Sequence, residues 1–231
     1  MGAALVRAIE LISAMDADLV EIVLLSLQVS LSAVLLAALI GLPLGAMVAL
    51  ARFPGRGAAV TLLNALMGLP PVVVGLVVYL LLSRAGPLGE LGLLFTPTAM
   101  VIAQTILVTP IIAALTRQTV ADANEEYAEQ LRSLRVRSVS RALTLLWESR
   151  FSLLTGVLAG FGRASAEVGA VIIVGGNINH VTRVMTTTIA LETSKGDLPL
   201  ALGLGIILVS LVILINALAL SVQGLARRRY G

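Results

Sequence analysis

Five long apolar stretches punctuate the chain, at about residues 20–50, 58–82, 93–115, 151–174 and 198–222. Each reaches the roughly 18 to 20 residues needed to cross a hydrocarbon core of about 30 Å, so five transmembrane helices are expected. The first stretch is longer than one crossing requires, and tilt or a bend near Gly41 and Pro43 is expected to absorb the excess. Along it Ser26, Ser30, Ala33, Ala37, Gly41 and Gly45 recur at steps of three and four, a stripe of small side chains that lets a second helix backbone come close. The second stretch is interrupted by Gly-Leu-Pro-Pro at 68–71. Its prolines remove backbone donors, which fits either a packing kink or a break that lines a pathway. The third carries Gln104, Thr105 and Thr109 ahead of Pro110, polar groups that need partners in lipid, from a neighbouring helix or from a substrate.

The pattern changes over residues 117–150, where eleven ionisable side chains from Arg117 to Arg150 are too many for lipid yet spaced for helix. Acidic residues lead and arginines follow, in the order that complements a helix dipole. Ala128, Leu131 and Leu134 offer an apolar contact face on a short surface helix. A structureless connection of about 34 residues would be unusually long. Residues 175–197, rich in Gly, Thr and Asn, hold too few apolar positions for a crossing of their own and read as an external loop, with a re-entrant or surface segment possible. At the other end, residues 1–18 read as an external segment with an amphipathic interfacial helix at Ala3–Ala14.

Composition supports lipid as the solvent. The chain is 58% apolar and 13% charged, against about 25% charged in ordinary soluble domains. Its net charge of +3 comes with only 3% aromatics, which argues against a nucleic-acid groove. Membrane topology accounts for the charge better. With 117–150 on the cytoplasmic side, eleven basic residues fall inside (Arg52, Arg56, Arg117, Arg132, Arg135, Arg137, Arg141, Arg150 and Arg227 to Arg229) and four outside (Arg7, Arg84, Arg183 and Lys195). The N terminus is then external and the C terminus internal, as five crossings require.

Candidate chemistry is sparse. There are no cysteines, and a single histidine, His180, does not make a zinc site alone, so no metal site is expected. Neither HExxH nor GxSxG is present, which leaves a membrane enzyme little support. The Walker pattern GxxxxGK[ST] is also missing, and the only lysine is Lys195, so no cofactor is expected in this chain and any ATP-driven work needs another polypeptide. Arg163 and Glu167, four residues apart in the fourth stretch, are expected on one helical face. They serve either as an internal ion pair that holds helices together or as a device that helps an anion through a dry passage. Gln104, Thr109, Arg163, Ser165 and Glu167 are the candidate pathway residues.

The stretch EEYAEQLRSLRVRSVSRALTLL, from Glu125 to Leu146, resembles the coupling motif of ABC importer permeases: Glu-Ala-Ala, three residues, Gly, nine residues, then Ile, any, Leu, Pro. Glu129 takes the leading Glu, Gln130 and Leu131 the two Ala positions, Arg135 stands in place of Gly, and Glu148 in place of Pro. The stretch GRASAEVGAVIIVGGNINHVTRVMTTTIALETSKGD, from Gly162 to Asp197, is similar to molybdate, sulfate and tungstate permeases, and together with MGLPPVVVGLVVYLLLSRAGPLG and LLFTPTAMVIAQT looks most like the tungstate branch. The resemblance implies an all-α type I permease fold, residues 1–231 forming one transmembrane permease domain in the cytoplasmic (inner) membrane of a prokaryote. It also implies a homodimer, a cytosolic ATPase dimer that binds ATP and Mg, and an extracytoplasmic oxyanion-binding protein in which anion selectivity largely resides. Glu125, Ala128, Glu129, Leu131, Leu134, Arg135 and Arg141 are then the ATPase-coupling residues. Molybdate and sulfate are the competing anions, and an ATP-independent channel is the alternative from another class.

Overall fold

The computed structural model describes residues 17–230, and the interfacial helix expected at Ala3–Ala14 lies outside them. Helix α1 (Ala17–Leu50) runs without interruption through Gly41 and Pro43. Helices α2 (Arg56–Leu66) and α3 (Pro71–Leu82) meet at a bend of 98°. The prolines explain that bend: Pro71 takes the first position of α3, where its missing N–H is no loss, and it cannot continue α2. After a 3-10 turn at Gly89–Leu91, α4 (Pro97–Glu126) passes beyond the apolar stretch into the charged one. The short α5 (Ala128–Ser133) and α6 (Ser138–Glu148) follow, so residues 117–150 are helical, as their spacing suggests. Helices α7 (Arg150–Ser165) and α8 (Gly169–Gly175) are bent by 58°, and α9 (Met185–Lys195) and α10 (Leu198–Tyr230) complete the described chain. Helices α1, α4 and α10 are each long and apolar enough to span a bilayer, and counting each bent pair as one span gives up to five.

The chain forms two compact units. One comprises Ala33–Pro70 and Thr105–Ala164. In it the C-terminal half of α1 lies directly on α4. A methyl group at Gly45 would sit 2.4 Å from the Ala113 carbonyl oxygen and 2.7 Å from Thr116 Cβ, and one at Gly41 would sit 3.1 Å from Ile112. The small-residue stripe is thus a packing face, with Ala33 and Ala37 also fully buried. At the end of α1, Arg56 closes the helix: its Nε and Nη2 donate to the carbonyls of Val48 and Ala49, both at 2.9 Å. Beneath this end Ala46, Ala49, Val120, Leu131 and Leu145 form a buried cluster.

The other unit comprises Met1–Ser32, Pro71–Gln104 and Ser165–Gly231. Here α3 packs on α8 so tightly that a methyl group on Gly75 would come 2.8 Å from Ala170 Cα. The 175–197 connection, expected as a loop, contains α9, whose Met185 joins Leu19 and Leu204 in a core cluster. Helix α10 leaves Leu202, Val209, Ile213, Leu218 and Leu225 exposed. Such a stripe is a liability in water and an ordinary surface in lipid.

Candidate functional site

The coupling stretch folds as two short helices joined by a turn. At the end of α5 the Arg135 N–H donates to the Arg132 carbonyl at 3.0 Å, and the Val136 N–H reaches back to Leu131 at 3.3 Å. This pair of bonds is a Schellman closure, and Val136 packs with Leu131 as that motif requires. Its left-handed position is Arg135, at φ 50°. The residue that stands where the coupling motif has glycine therefore adopts the backbone geometry glycine would favour, and the turn survives the substitution. Helix α6 ends at Glu148, the motif's proline position, with Ser149 as its cap before α7 starts.

Side-chain directions divide the coupling residues. Leu134 is 74% exposed at the tip of the turn, whereas Leu131 points into the cluster with Ala46 and Leu145. The contact face expected from Ala128, Leu131 and Leu134 is therefore reduced at Leu131, which anchors the helix, and Ala128 is half-buried. Glu125, Glu129 and Arg135 are exposed. Arg141 Nε donates to Asn124 Oδ1 at 2.7 Å and so ties α6 to the end of α4.

The pathway candidates fall in both units: Gln104, Ser165 and Glu167 in one, Thr109 and Arg163 in the other. Helix α7 stops at Ser165, so Arg163 and Glu167 do not share an uninterrupted helical face as their spacing predicts. The cause lies in Glu167 itself. Its side chain, only 3% exposed, accepts the Ala170 N–H at 2.9 Å, satisfies a first-turn donor of α8, and so favours a new helix there. The Thr186 hydroxyl donates to the Glu167 carbonyl at 2.8 Å and holds the break in place. Thr109 donates its hydroxyl proton to the Thr105 carbonyl of its own helix at 2.7 Å, and Gln104 and Ser165 are buried.

Sequence patterning missed a polar interior around α9. Thr182, Thr187, Thr188 and Glu192 are buried. Thr187 donates to Asn177 Oδ1 at 2.8 Å, and Ser26 of α1 accepts the Met185 N–H at 2.8 Å. The half-buried Arg183 has its Nε out of solvent without a hydrogen-bond partner among the described residues. The signal available was the unbroken run of threonines after an arginine, which reads equally as a polar loop. Nearby, His180 Nδ1 lies 2.9 Å from Glu21 Oε2. That hydrogen bond, then the Glu21 charge, raises the histidine above its ordinary 6.5; Asp18 adds to the effect and Arg183 opposes it. Asp18, Glu21 and His180 each offer a ligand atom within 4.8 Å of the others, all on exposed side chains.

Among the described residues the chain is helical, with three helices long and apolar enough to cross a membrane. The chain belongs to the family of binding-protein-dependent transport system inner membrane components, which it matches over residues 41–231. It is 42% identical over 205 residues to a probable anion ABC transporter permease protein of Haloferax volcanii, covering 87% of this chain and 88% of that one. It is 40% identical over 216 residues to the tungstate uptake system permease protein TupB of Peptoclostridium acidaminophilum, covering 94% and 95%. The sulfate transport system permease protein CysT of Escherichia coli is more distant, at 30% identity over 175 residues, with 71% and 62% covered. The resemblance to oxyanion permeases drawn from the motifs holds, and the chain is a multi-pass membrane component of a transport system.

Proposed function

We propose that this chain is the membrane-spanning subunit of an ABC importer that carries tungstate inward, driven by a separate ATPase. The observation that carries the reading is the elbow, whose left-handed Arg135 turn presents Leu134 to a partner, in a chain 40% identical over nearly its whole length to a tungstate permease. Two copies pair, an ATPase dimer holding ATP and Mg grips Leu134 and the exposed Glu125 and Glu129, and an external binding protein delivers the anion. The basic-residue count supports an external N terminus and an internal elbow. Alternating access then moves the spans as rigid bodies around a passage to which Gln104, Thr109, Arg163, Ser165 and Glu167 contribute, with Arg183 added for its spare donor.

Reconstitution with the ATPase and the binding protein tests this. Tungstate-stimulated ATP hydrolysis is expected. Stimulation by molybdate or sulfate instead would move the assignment within the class, and none by any oxyanion would defeat it. Anion conductance by the chain alone would favour a passive channel.

A further inference from the structure

The second feature of the elbow is a groove rather than a tip. Between the end of α1 and α6 lies a cavity of about 660 Å³, within the 300 to 1,000 Å³ typical of ligand sites. Its walls are apolar, with Pro43, Met47 and Leu50 on one side and Val139, Leu143 and Leu146 on the other. Its polar rim is made by Arg52 and Ser138, both exposed. Ser138 is the first residue of α6. Apolar walls and an exposed arginine together suit one ligand chemistry: an apolar body with an anionic head.

We propose that this groove holds an anionic phospholipid, with an acyl chain along Met47, Val139 and Leu143 and its phosphate at Arg52. Lipid is favoured over a protein partner because one wall is the end of α1, a helix long and apolar enough to span a bilayer. Val139 and Leu143 continue at the same spacing to Trp147, and the three are 73%, 63% and 67% exposed. The Arg150 guanidinium lies 4.9 Å from the Trp147 ring. A tryptophan beside an arginine on an exposed apolar stripe is the arrangement of an interfacial helix at headgroup depth. Of the two arginines that line the groove, Arg141 is tied through its Nε to Asn124 and Arg52 is exposed, which makes Arg52 the one to meet the phosphate. The inference rests on the proposed orientation in one respect, that this end of α1 meets the cytoplasmic leaflet, where anionic lipids concentrate.

The test is lipid retention by the purified full chain in detergent, read by native mass spectrometry, with phosphatidylglycerol and phosphatidylcholine of identical acyl chains. The wild type is expected to retain phosphatidylglycerol preferentially. Arg52→Gln should lower that preference about fivefold, as one basic residue at a membrane surface is expected to do, and leave phosphatidylcholine retention alone. Leu143→Trp, which fills the groove from an exposed position, should lose both lipids, and Arg84→Gln should change nothing. Equal retention of the two lipids, no effect of Arg52→Gln, or competition by inorganic phosphate as effective as by lipid would overturn the proposal. So would a change of oligomeric state, rather than of lipid content, on Leu143→Trp. Selective retention with no oxyanion-stimulated ATP hydrolysis would instead count against the transport assignment while leaving the lipid site intact.

Discussion

Arg135 is the position at which the coupling turn can be tested most sharply. It holds φ 50° where the motif has glycine. An L-residue in the left-handed region costs about 1 to 2 kcal/mol, and glycine avoids this at some cost in chain entropy. Replacing Arg135 by alanine or by glycine removes the same charge from the end of α5, so the comparison of the two variants isolates the backbone term. Alanine keeps the strain and glycine loses it, and after chain entropy a gap of about 1 kcal/mol in favour of glycine is expected. That is about a fivefold difference in local opening. Hydrogen exchange at the amides of Arg135 and Val136, whose bonds to Arg132 and Leu131 close the turn, reads it directly. Exchange should be about fivefold slower in Arg135→Gly than in Arg135→Ala; both lose the favourable charge at the helix C-terminus, worth about 0.3 to 1 kcal/mol, so the wild type should lie close to the glycine variant. Equal rates in the two variants, or faster exchange with glycine, would refute the left-handed assignment.

Other consequences follow from the same geometry. Gly45→Ala places a methyl group against the Ala113 backbone and should cost about 1 to 3 kcal/mol, seen as a Tm lowered by several degrees, whereas Gly162→Ala, with nothing within 4 Å of it, should be far milder. Leu134→Asp should abolish co-purification of the ATPase with little change in Tm; Leu131→Ala, in the buried cluster, should cost about 2 to 4 kcal/mol of stability. The His180–Glu21 contact stabilises the folded chain below the ordinary histidine pKa of 6.5, and that contribution is lost as pH rises through the raised folded-state value. NMR titration of the single histidine should show its pKa falling back in Glu21→Gln. Because the chain has no cysteine, Arg137→Cys gives a unique label, which should react with an impermeant thiol reagent only after the cytoplasmic side is opened.

The spans were legible because bilayer thickness imposes a length on every apolar run, and the bend between α2 and α3 because two prolines mark it. The bend between α7 and α8 carries no such punctuation. There the buried Glu167 side chain accepts a backbone N–H three residues on and Thr186 bonds the Glu167 carbonyl from 19 residues away, a contact that spacing cannot reveal, and so Arg163 and Glu167 do not share one uninterrupted helix. Helix α9 escaped notice because its threonines donate to Asn177 and to backbone carbonyls inside the protein, while sequence patterning takes a run of polar residues for surface. Where the coupling motif falls, the structure has two short helices joined by a turn. The motif could not tell Leu131 from Leu134, since three residues separate them and only the turn at Arg135 decides which one faces outward.

The central claim is that an external motor works through this elbow to move an oxyanion across the bilayer. Tungsten accumulated in sealed vesicles holding the chain, its ATPase and its binding protein measures that most directly. Uptake that requires ATP and disappears in Leu134→Asp is the predicted result. Uptake that proceeds without ATP, or that is unchanged in Leu134→Asp, would contradict it.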